Sequence, residues 1–217
     1  MPLSPQDASK LTLDVAALAP IIPVLVVKDI DHARPLAEAL VSGGLPALEV
    51  TLRTAGALDA IAAMAQVPGG VVGAGTLLTP GDVKNAKAAG AKFGVSPGAT
   101  ETLIDACEAE GLPLIAGAAT ASEAMALLER GYEFLKFFPA EASGGAPALK
   151  SLGGPLPQIK FCPTGGVSPG NVGSYLSLAN VVCAGGSWVA PQAAMDEGDW
   201  DRIQGLAADA SKLRRAA

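Results

Sequence analysis

The sequence predicts an α/β fold: a single (β/α)8 TIM barrel with one extra helix before its first strand. Three observations predict it. Eight short runs of branched apolar residues recur along the chain, their starts lie 21 to 26 residues apart, and helix-forming segments rich in Ala, Leu and Glu fill the intervals. Alternating strands and helices imply parallel strands joined by right-handed crossovers. Eight such units in 217 residues fit a barrel near the lower end of its usual length.

The predicted strands are rich in Val, Ile, Leu and Phe. They cover residues 21–27, 47–52, 71–74, 92–95, 113–116, 134–138, 159–162 and 181–184. The alternative is an open doubly wound sheet, which usually carries a glycine-rich dinucleotide turn after its first strand. Here the first strand runs into Val27-Lys28-Asp29 without a glycine, which favours the barrel. No linker or change in composition divides the chain, so we expect residues 1–217 to form one domain.

Helix signals occupy the intervals between the strands. A Thr cap, a Thr–Glu capping box and a Pro in the first turn indicate helix starts, and Gly indicates helix ends. The signals are Thr79-Pro80 with an end at Gly90, Thr120 and Glu123 with an end at Gly131, and Ser168-Pro169. Residues 5–19 are predicted to form the extra helix before the first strand, and residues 199–214 the closing helix.

Composition excludes several classes of function. Fifteen Lys and Arg against 21 Asp and Glu give a net charge of −6, which argues against nucleic acid or an anionic membrane as a partner. The single histidine, His32, excludes most zinc sites and makes a Ser-His-Asp triad implausible. We interpret His32 and both tryptophans as structural.

The cysteines and the amino terminus indicate the compartment. Cys107, Cys162 and Cys183 are an odd number and far apart, unlike a secreted disulfide framework, so we expect buried, reduced thiols. The first residues lack the basic start and apolar run of a signal peptide. The longest apolar stretch, residues 16–27, is too short and too interrupted by Pro to span a bilayer. These features predict a cytoplasmic protein.

Lys136 is the unusual lysine of this sequence. It lies in the apolar run FLKFFP of residues 134–139, near the carboxyl end of its predicted strand, where barrel active sites are built. Burial among phenylalanines is costly for an ammonium and favours the neutral amine, which can attack a carbonyl carbon to form a Schiff base. The alternative is a lysine that reaches the rim or pairs with a carboxylate. Lys136 is the predicted nucleophile.

The second predicted strand carries polar residues on one face. In ALEVTLR (47–53), Glu49, Thr51 and Arg53 alternate with apolar residues and therefore share the face that points into a barrel. Two interpretations stay open. Glu49 and Arg53 form a buried structural pair, or Glu49 transfers protons beside an arginine that holds an anionic substrate group. The two interpretations can coexist.

Two glycine pairs predict a phosphate site. Gly165 and Gly166 follow the seventh predicted strand, and Gly185 and Gly186 follow the eighth, with Ser187 as a further hydroxyl donor. Glycine lets backbone N–H groups converge on an anion, and phosphate-binding barrels place this site after strands 7 and 8. We therefore expect a phosphate or a similar anion between these two loops.

Three further loops at the same face contain Gly75-Thr76, Ser96-Pro97-Gly98 and Gly117. Each can be explained by turn formation alone. Thr76 is the one expected to contact substrate, because its hydroxyl should project at the rim beside Glu49 and Arg53.

These segments together resemble the 2-keto-3-deoxy-6-phosphogluconate (KDPG) aldolase family, whose members often also cleave 4-hydroxy-2-oxoglutarate. The resemblance begins at Ile22 and extends to the closing helix, about nine-tenths of the chain. The motifs that carry it are LEVTLRT (48–54), VGAGT (72–76), SPG (96–98), KFFPAE (136–141), FCPTGG (161–166) and GGSW (185–188). Ala118-Ala119 departs from the bulkier residues common in the family, which bears on substrate tolerance.

The resemblance implies a homotrimeric barrel and a metal-independent class I aldolase, a lyase of the Entner–Doudoroff pathway that needs no cofactor. It implies that Lys136 forms the Schiff base and that Glu49 transfers protons. The implied substrate contacts are Arg53 and Thr76 at the pyruvate carboxylate, Pro97 and Phe138 at the pocket walls, and Thr164, Gly165, Gly166, Gly186 and Ser187 at the phosphate end.

The predicted reaction cleaves KDPG, a phosphorylated keto acid, to pyruvate and glyceraldehyde 3-phosphate. Cleavage of 4-hydroxy-2-oxoglutarate to pyruvate and glyoxylate is a second expected activity. Three alternatives remain at this point: an aldolase for the 6-phosphogalactonate stereoisomer, a phosphosugar isomerase or synthase that uses Glu49 without a covalent step, and a non-enzymatic anion-binding barrel.

Overall fold

A computed structural model describes residues 2–215 and contains eight parallel strands in a nearly closed barrel, which confirms the predicted fold class. The strands are β1 (Ile21–Leu25), β2 (Ala47–Thr51), β3 (Val71–Gly75), β4 (Phe93–Val95), β5 (Leu114–Ala118), β6 (Phe134–Phe137), β7 (Lys160–Pro163) and β8 (Ala184–Gly186). Their order is β7-β6-β5-β4-β3-β2-β1-β8. Bridges from Phe161 to Val181 and from Thr164 to Gly185 connect the two ends of this order.

Helices alternate with the strands as predicted. They are α1 (Pro5–Ala17), α2 (Ala33–Ser42), α3 (Ala57–Met64), α4 (Pro80–Ala88), α5 (Glu101–Glu110), α6 (Ala121–Arg130), α7 (Gly145–Gly153), α8 (Val172–Leu176), α9 (Gln192–Glu197) and α10 (Trp200–Ser211), with a short 3-10 helix at Ile30–His32. Within residues 2–215, no helix is both long enough and apolar enough to cross a membrane.

Local sequence signals account for the helix ends. Thr79 caps α4 and the capping box of Thr120 and Glu123 begins α6, as predicted, and Asp82 completes a second capping box with Thr79. The first helix ends at Ala17, short of the predicted residue 19, because the residue before Pro20 is disfavoured in helical conformation. The prediction of a helix start at Ser168-Pro169 was wrong: the backbone N–H of Ser168 donates to the side chain of Asn171 in a turn, and α8 begins only at Val172.

The core has two layers, because side chains alternate between the two faces of each strand. Ile22, Phe93 and Phe134 belong to the inner cluster within the barrel, and Ala16 of α1 packs into the same cluster. Leu48 and Val50 of β2 belong to the outer cluster between strands and helices. The extra helix α1 therefore packs against the core of the barrel, with contacts to β5 and β6.

The eighth strand was predicted at residues 181–184 but consists of Ala184–Gly186. Val181 makes only an isolated bridge to Phe161, whereas Ile21, Ile22 and Pro23 of β1 pair with Ala184, Gly185 and Gly186. Branched residues are enriched in strands and glycine is depleted, so the Val-Val run misled the prediction. Gly185 and Gly186 consequently lie within a strand and not in the loop after it.

Close packing explains why glycine is needed in β8. A Cβ on Gly185 would overlap the side chain of Thr164, and a Cβ on Gly186 would overlap the ring of Trp188. The glycines thus let β7 and the segment after β8 approach the end of the barrel where the candidate site lies.

Candidate active site

Lys136 and Glu49 form a buried ion pair inside the barrel. The Nζ atom of Lys136 lies 3.4 Å from Oε1 of Glu49, and the two residues are 6% and 3% exposed. Lys136 is the third residue of β6, in register with Gly117 of β5 and Cys162 of β7. Phe134 and Lys136 share the inward face, so the same alternation that buries Phe134 in the inner core buries the amine above it.

Gly75 makes room for the Glu49 carboxylate. A Cβ at Gly75, the last residue of β3, would overlap Oε1 of Glu49. Thr51 also lies beside Gly75 in register, and its hydroxyl donates to the carbonyl of Leu25 at 2.8 Å. The strand ends around Glu49 are therefore fixed by packing and hydrogen bonds, which holds the carboxylate against Lys136.

Arg53 does not share the burial of Glu49. The second strand ends at Thr51, so Arg53 lies beyond it and is exposed at the mouth of the barrel. Among residues 2–215, the ion pair of Glu49 is with Lys136, and none involves Arg53. The interpretation of Glu49 and Arg53 as a buried structural pair is therefore wrong, and the guanidinium faces a cavity instead.

This cavity has a volume of about 260 Å³ and lies at the carboxyl ends of β1, β2, β6, β7 and β8. Its size suits a compact ligand. The residues that line it are Val24, Val26, Arg53, Phe138, Thr164, Gly165, Gly166, Val167, Gly185, Gly186 and Ser187. Seven of the predicted site residues are thus brought together: Arg53, Phe138, Thr164, Gly165, Gly166, Gly186 and Ser187.

One wall of the cavity is the glycine-rich segment after β7. Gly165 and Gly166 have φ of +99° and +78°, a backbone conformation that favours glycine. Thr164 is buried and its backbone is fixed, since its N–H donates to the carbonyl of Phe137 at 2.9 Å and its carbonyl accepts from Ala140 at 2.8 Å. Exposed backbone of this kind can present N–H groups to an anion.

Phe138 connects the cavity to the buried pair. Its ring lines the cavity, and its centroid lies 5.2 Å from the Nζ atom of Lys136. The aromatic face accommodates the amine and its cation at this distance. The amine therefore lies behind this ring, and neither Lys136 nor Glu49 is itself among the residues that line the cavity.

Thr76 and Pro97, two further predicted site residues, are absent from the described lining of this cavity. Thr76 is half-buried and follows Gly75, the residue against which the Glu49 carboxylate packs. Pro97 packs on Gly117, where a Cβ would overlap the Pro97 backbone. Because Gly117 is in register with Lys136, Pro97 lies on the side of the lysine away from β7.

Sequence reasoning missed Val24, Val26, Val167 and Gly185 as lining residues. In the sequence, Val24 and Val26 resemble the other apolar residues of a buried strand. They line the cavity because β1 ends at Leu25, so both lie at the carboxyl end of the strand. The sequence indicates Gly185 as one member of a glycine pair but does not identify it as a residue that lines the cavity. Alternation along β1 was the signal that could have identified Val24, since it pairs with Glu49.

The cysteines, His32 and both tryptophans, which were predicted to be structural, are not among the residues that line the cavity. All three cysteines are free and buried. Burial, with the charge of Glu108, raises the pKa of Cys107 to about 12. A hydrogen bond with Cys162, together with burial, raises the pKa of Cys183, which keeps that thiol protonated. His32 packs edge-on against Trp200 at 5.3 Å. Within residues 2–215, no three His, Cys, Asp or Glu side chains cluster as metal ligands.

Comparison with known proteins agrees with this geometry. A family model described as "Aldolase: KDPG and KHG aldolase" matches residues 13–206. The chain is 54% identical over 198 residues to a Pseudoalteromonas atlantica protein named 2-dehydro-3-deoxy-phosphogluconate aldolase, and the match covers 91% of this chain and 92% of that protein.

Two solved structures are similar over nearly the whole chain. The 2-keto-3-deoxy-6-phosphogluconate aldolase of Zymomonas mobilis, crystallised with 3-phosphoglycerate, has a TM-score of 0.89 and 48% identity, covering 94% of this chain and 97% of its own. The KDPG aldolase of Legionella pneumophila, with pyruvate captured at low pH as a covalent carbinolamine intermediate, has a TM-score of 0.90 and 47% identity, covering 92% and 98%.

Proposed function

The chain belongs to the KDPG and KHG aldolase family, and from this we propose a mechanism in which Lys136 and Glu49 are the catalytic residues of a class I aldolase. The protein is an aldolase, a lyase that cleaves KDPG to pyruvate and glyceraldehyde 3-phosphate. The observation that carries the mechanism is the buried Lys136–Glu49 pair, whose amine lies 5.2 Å from the ring of Phe138, a residue that lines the cavity together with the glycine-rich segment. The carbinolamine trapped in the Legionella pneumophila relative supports covalent chemistry through an amine.

The reaction begins with a proton transfer within the buried pair. Lys136 gives a proton to Glu49 across the 3.4 Å contact, and the neutral amine attacks C2 of the keto acid. The attack leaves a positive charge on nitrogen and a negative charge on the former carbonyl oxygen, and a proton passes from that nitrogen to that oxygen to give the carbinolamine. Protonated Glu49 then gives its proton to the carbinolamine hydroxyl, which leaves as water. The product is an iminium cation at C2 and an ionised Glu49, so charge and protons balance.

The iminium then accepts the electrons of the breaking bond. Glu49, directly or through a water molecule, removes the proton of the C4 hydroxyl, the C3–C4 bond breaks, and glyceraldehyde 3-phosphate is released. The remaining enamine takes the proton from Glu49 at C3 and becomes the iminium of pyruvate. Water then hydrolyses this iminium and frees pyruvate and Lys136.

The substrate has two anionic ends, a carboxylate and a phosphate, and we assign each end to a different wall of the cavity. We assign the carboxylate to Arg53, an exposed guanidinium with a bidentate donor geometry, and to Thr76, which follows the residue that packs against Glu49. We assign the phosphate to the other wall, where Thr164, Gly165, Gly166, Gly186 and Ser187 offer backbone N–H and hydroxyl donors. Pro97 and Phe138 flank the reacting carbon, on the two sides of Lys136.

A second substrate, 4-hydroxy-2-oxoglutarate, is supported by the family description, which names both KDPG and KHG aldolases. It shares the 2-keto acid end that Lys136, Glu49 and Arg53 engage in this mechanism. It lacks the phosphate, so we expect its cleavage to depend less on the glycine-rich wall.

The substrate is a small molecule, and three further properties are part of this proposal. We propose that residues 1–217 form one barrel domain, that the protein acts in the cytoplasm, and that it assembles as a homotrimer. The family resemblance supports the trimer, and sedimentation analysis tests it: a mass of one or two chains contradicts it.

Borohydride reduction in the presence of pyruvate tests the covalent step. The expected result is one reduced pyruvate per chain, mapped by mass spectrometry to Lys136. The variant Lys136→Ala, and Lys136→Arg, which keeps a cation beside Glu49, should both lack the adduct. Lys92→Ala removes an exposed lysine that also precedes a phenylalanine, and it should retain the adduct. An unmodified Lys136 in the wild-type protein would overturn the Schiff-base assignment.

A further inference from the structure

The glycine-rich segment 164–168 is held from behind by Glu141. The backbone N–H of Glu141 donates to the carbonyl of Gly165 at 3.1 Å. A Cβ built on Gly166 would lie only 2.6 Å from Cγ of Glu141, so the glutamate side chain lies directly against the Gly166 backbone. Glu141 thus restricts both glycines of this segment without lining the cavity itself.

Glu141 is in turn held by a buried tyrosine. The hydroxyl of Tyr175, a fully buried residue of α8, donates a hydrogen bond to Oε1 of Glu141. Burial and this carboxylate raise the pKa of Tyr175, which keeps the phenol protonated as a donor. Gly145 has φ of +65°, and its Cα faces both partners: a Cβ there would lie 3.4 Å from the glutamate oxygen and 3.5 Å from the tyrosine oxygen.

Asn171 fixes the same segment through independent contacts. Its Nδ2 donates to the carbonyl of Gly166 at 3.0 Å, and its Oδ1 accepts from the backbone N–H of Ser168 at 2.7 Å. One side chain therefore bridges two backbone groups on either side of Val167. The residue precedes α8, so it is tied to the helix that carries Tyr175.

We propose that Glu141 and Asn171 are positioning residues that set the phosphate-binding geometry of segment 164–168, with Tyr175 as the anchor of Glu141. This inference rests on the proposed function, in which that segment binds the substrate phosphate. A carboxylate repels a phosphate, so Glu141 acts through packing and backbone contacts, and its hydrogen bond to Tyr175 holds the charge on the outer side. These residues decide the preference for phosphorylated over unphosphorylated substrates.

Steady-state kinetics with two substrates test the proposal. Tyr175→Phe and Asn171→Ala should each raise KM for KDPG about fivefold to tenfold, the loss expected for one or two hydrogen bonds. Both variants should leave kcat for KDPG and both constants for 4-hydroxy-2-oxoglutarate within about twofold. Glu141→Ala removes the acceptor for Tyr175 and the packing on Gly166 and should raise KM for KDPG by a similar factor, whereas Glu141→Gln keeps both contacts and should restore most of that loss.

Tyr132→Phe is the matched control. Tyr132 is equally buried, and its hydroxyl also donates to a glutamate, Glu108, at 3.2 Å, but Tyr132 precedes β6, whereas segment 164–168 follows β7 at the opposite end of the barrel. Its KM values should not change. The proposal is overturned if Tyr175→Phe and Asn171→Ala leave KM for KDPG unchanged, or if they raise KM for both substrates equally.

Phosphate binding separates this proposal from the proposed function. Inorganic phosphate should shift the backbone amide NMR signals of Gly165 and Gly166 in the wild type, and its Kd should rise in Asn171→Ala by the same factor as KM for KDPG. If the wild type does not cleave KDPG, the proposed function fails, and this Kd still decides the positioning role. An unchanged Kd in both Asn171→Ala and Tyr175→Phe overturns it.

Discussion

The amine of Lys136 lies 3.4 Å from the carboxylate of Glu49 in the interior of the barrel, although the two residues are 87 positions apart in the sequence. This contact predicts that Glu49→Gln, which keeps the shape but cannot take up a proton, lowers kcat about 10²-fold to 10⁴-fold. Exchange of the C3 protons of pyruvate into D2O, followed by NMR, should fall with it. Glu38→Gln removes an exposed carboxylate on α2 and should leave kcat unchanged. A kcat of Glu49→Gln within tenfold of wild type would contradict the assignment.

Gly75→Ala tests the space that the Glu49 carboxylate occupies. The added methyl group would overlap Oε1 of Glu49 and displace it from Lys136, so we expect kcat to fall about tenfold or more. Gly205→Ala is the matched control, because nothing lies within 4 Å of its Cβ and it is in the interior of α10. That control should keep full activity and gain about 0.5–1 kcal/mol in free energy of unfolding. Equal activity of the two variants would contradict the packing argument.

Ser187→Ala tests the phosphate end of the cavity. Loss of its hydroxyl donor should raise KM for KDPG several-fold and leave KM for 4-hydroxy-2-oxoglutarate nearly unchanged. Ser122→Ala, at an exposed position on α6, is the control. Equal increases for both substrates would argue that Ser187 contacts the keto acid end or acts on folding.

Chelation tests metal independence. The proposed mechanism uses the iminium of Lys136 as the electron sink, so incubation with EDTA should leave kcat and KM for KDPG within error. Full activity after chelation and buffer exchange is the expected outcome. Loss of activity that Mg²⁺, Mn²⁺ or Zn²⁺ restores would reject the class I mechanism.

The capping box at Thr120 predicts a pH-dependent stability. The N–H of Ala119 donates to Glu123, and with the hydroxyl and N–H of Thr120 it lowers the pKa of that carboxyl from its ordinary value of 4.5. A lowered pKa in the folded state means stability that is present above the ordinary value and is lost as pH falls through the folded value. Urea unfolding from about pH 7 to about pH 3 should therefore show a shrinking difference between wild type and Glu123→Gln. If the difference in free energy of unfolding between the two proteins grew as the pH fell, the pKa of Glu123 would be raised, not lowered, in the folded state.

Periodicity was enough to predict the barrel, and one lysine in an apolar strand was enough to predict a buried amine at Lys136, whose role as the nucleophile stays a prediction. Those signals are local: a strand needs apolar residues on its faces, and Lys136 violates that pattern. The ion pair of Lys136 and Glu49, by contrast, joins residues from two strands that are far apart in the sequence. Whether Glu49 met Lys136 or Arg53 depended on where β2 ends and on the space at Gly75, and neither is visible from alternation in residues 47–53.

The predicted boundaries of β8 were also wrong because they depended on packing between distant parts of the chain. Propensity favours Val181 and Val182 over two glycines, and it takes no account of the space that Thr164 and Trp188 require. Tertiary packing overrode propensity here, as it did for the contacts of Glu141 and Asn171 behind the glycine-rich segment. Sequence predicted which residue types belong near a phosphate, and only the fold could identify what supports them.

The extra helix α1 and the cavity lie at opposite ends of the barrel, which bears on the order in which products leave the site. Ala16 of α1 packs into the inner core, whereas the cavity beside Arg53 and Ser187 lies at the carboxyl ends of the strands. In the proposed mechanism, the three-carbon enamine is still bound to Lys136 after the carbon–carbon bond breaks, while the aldehyde is no longer attached. The mechanism therefore requires the aldehyde to leave first and pyruvate last, and in the reverse direction pyruvate must bind before any aldehyde can condense with it.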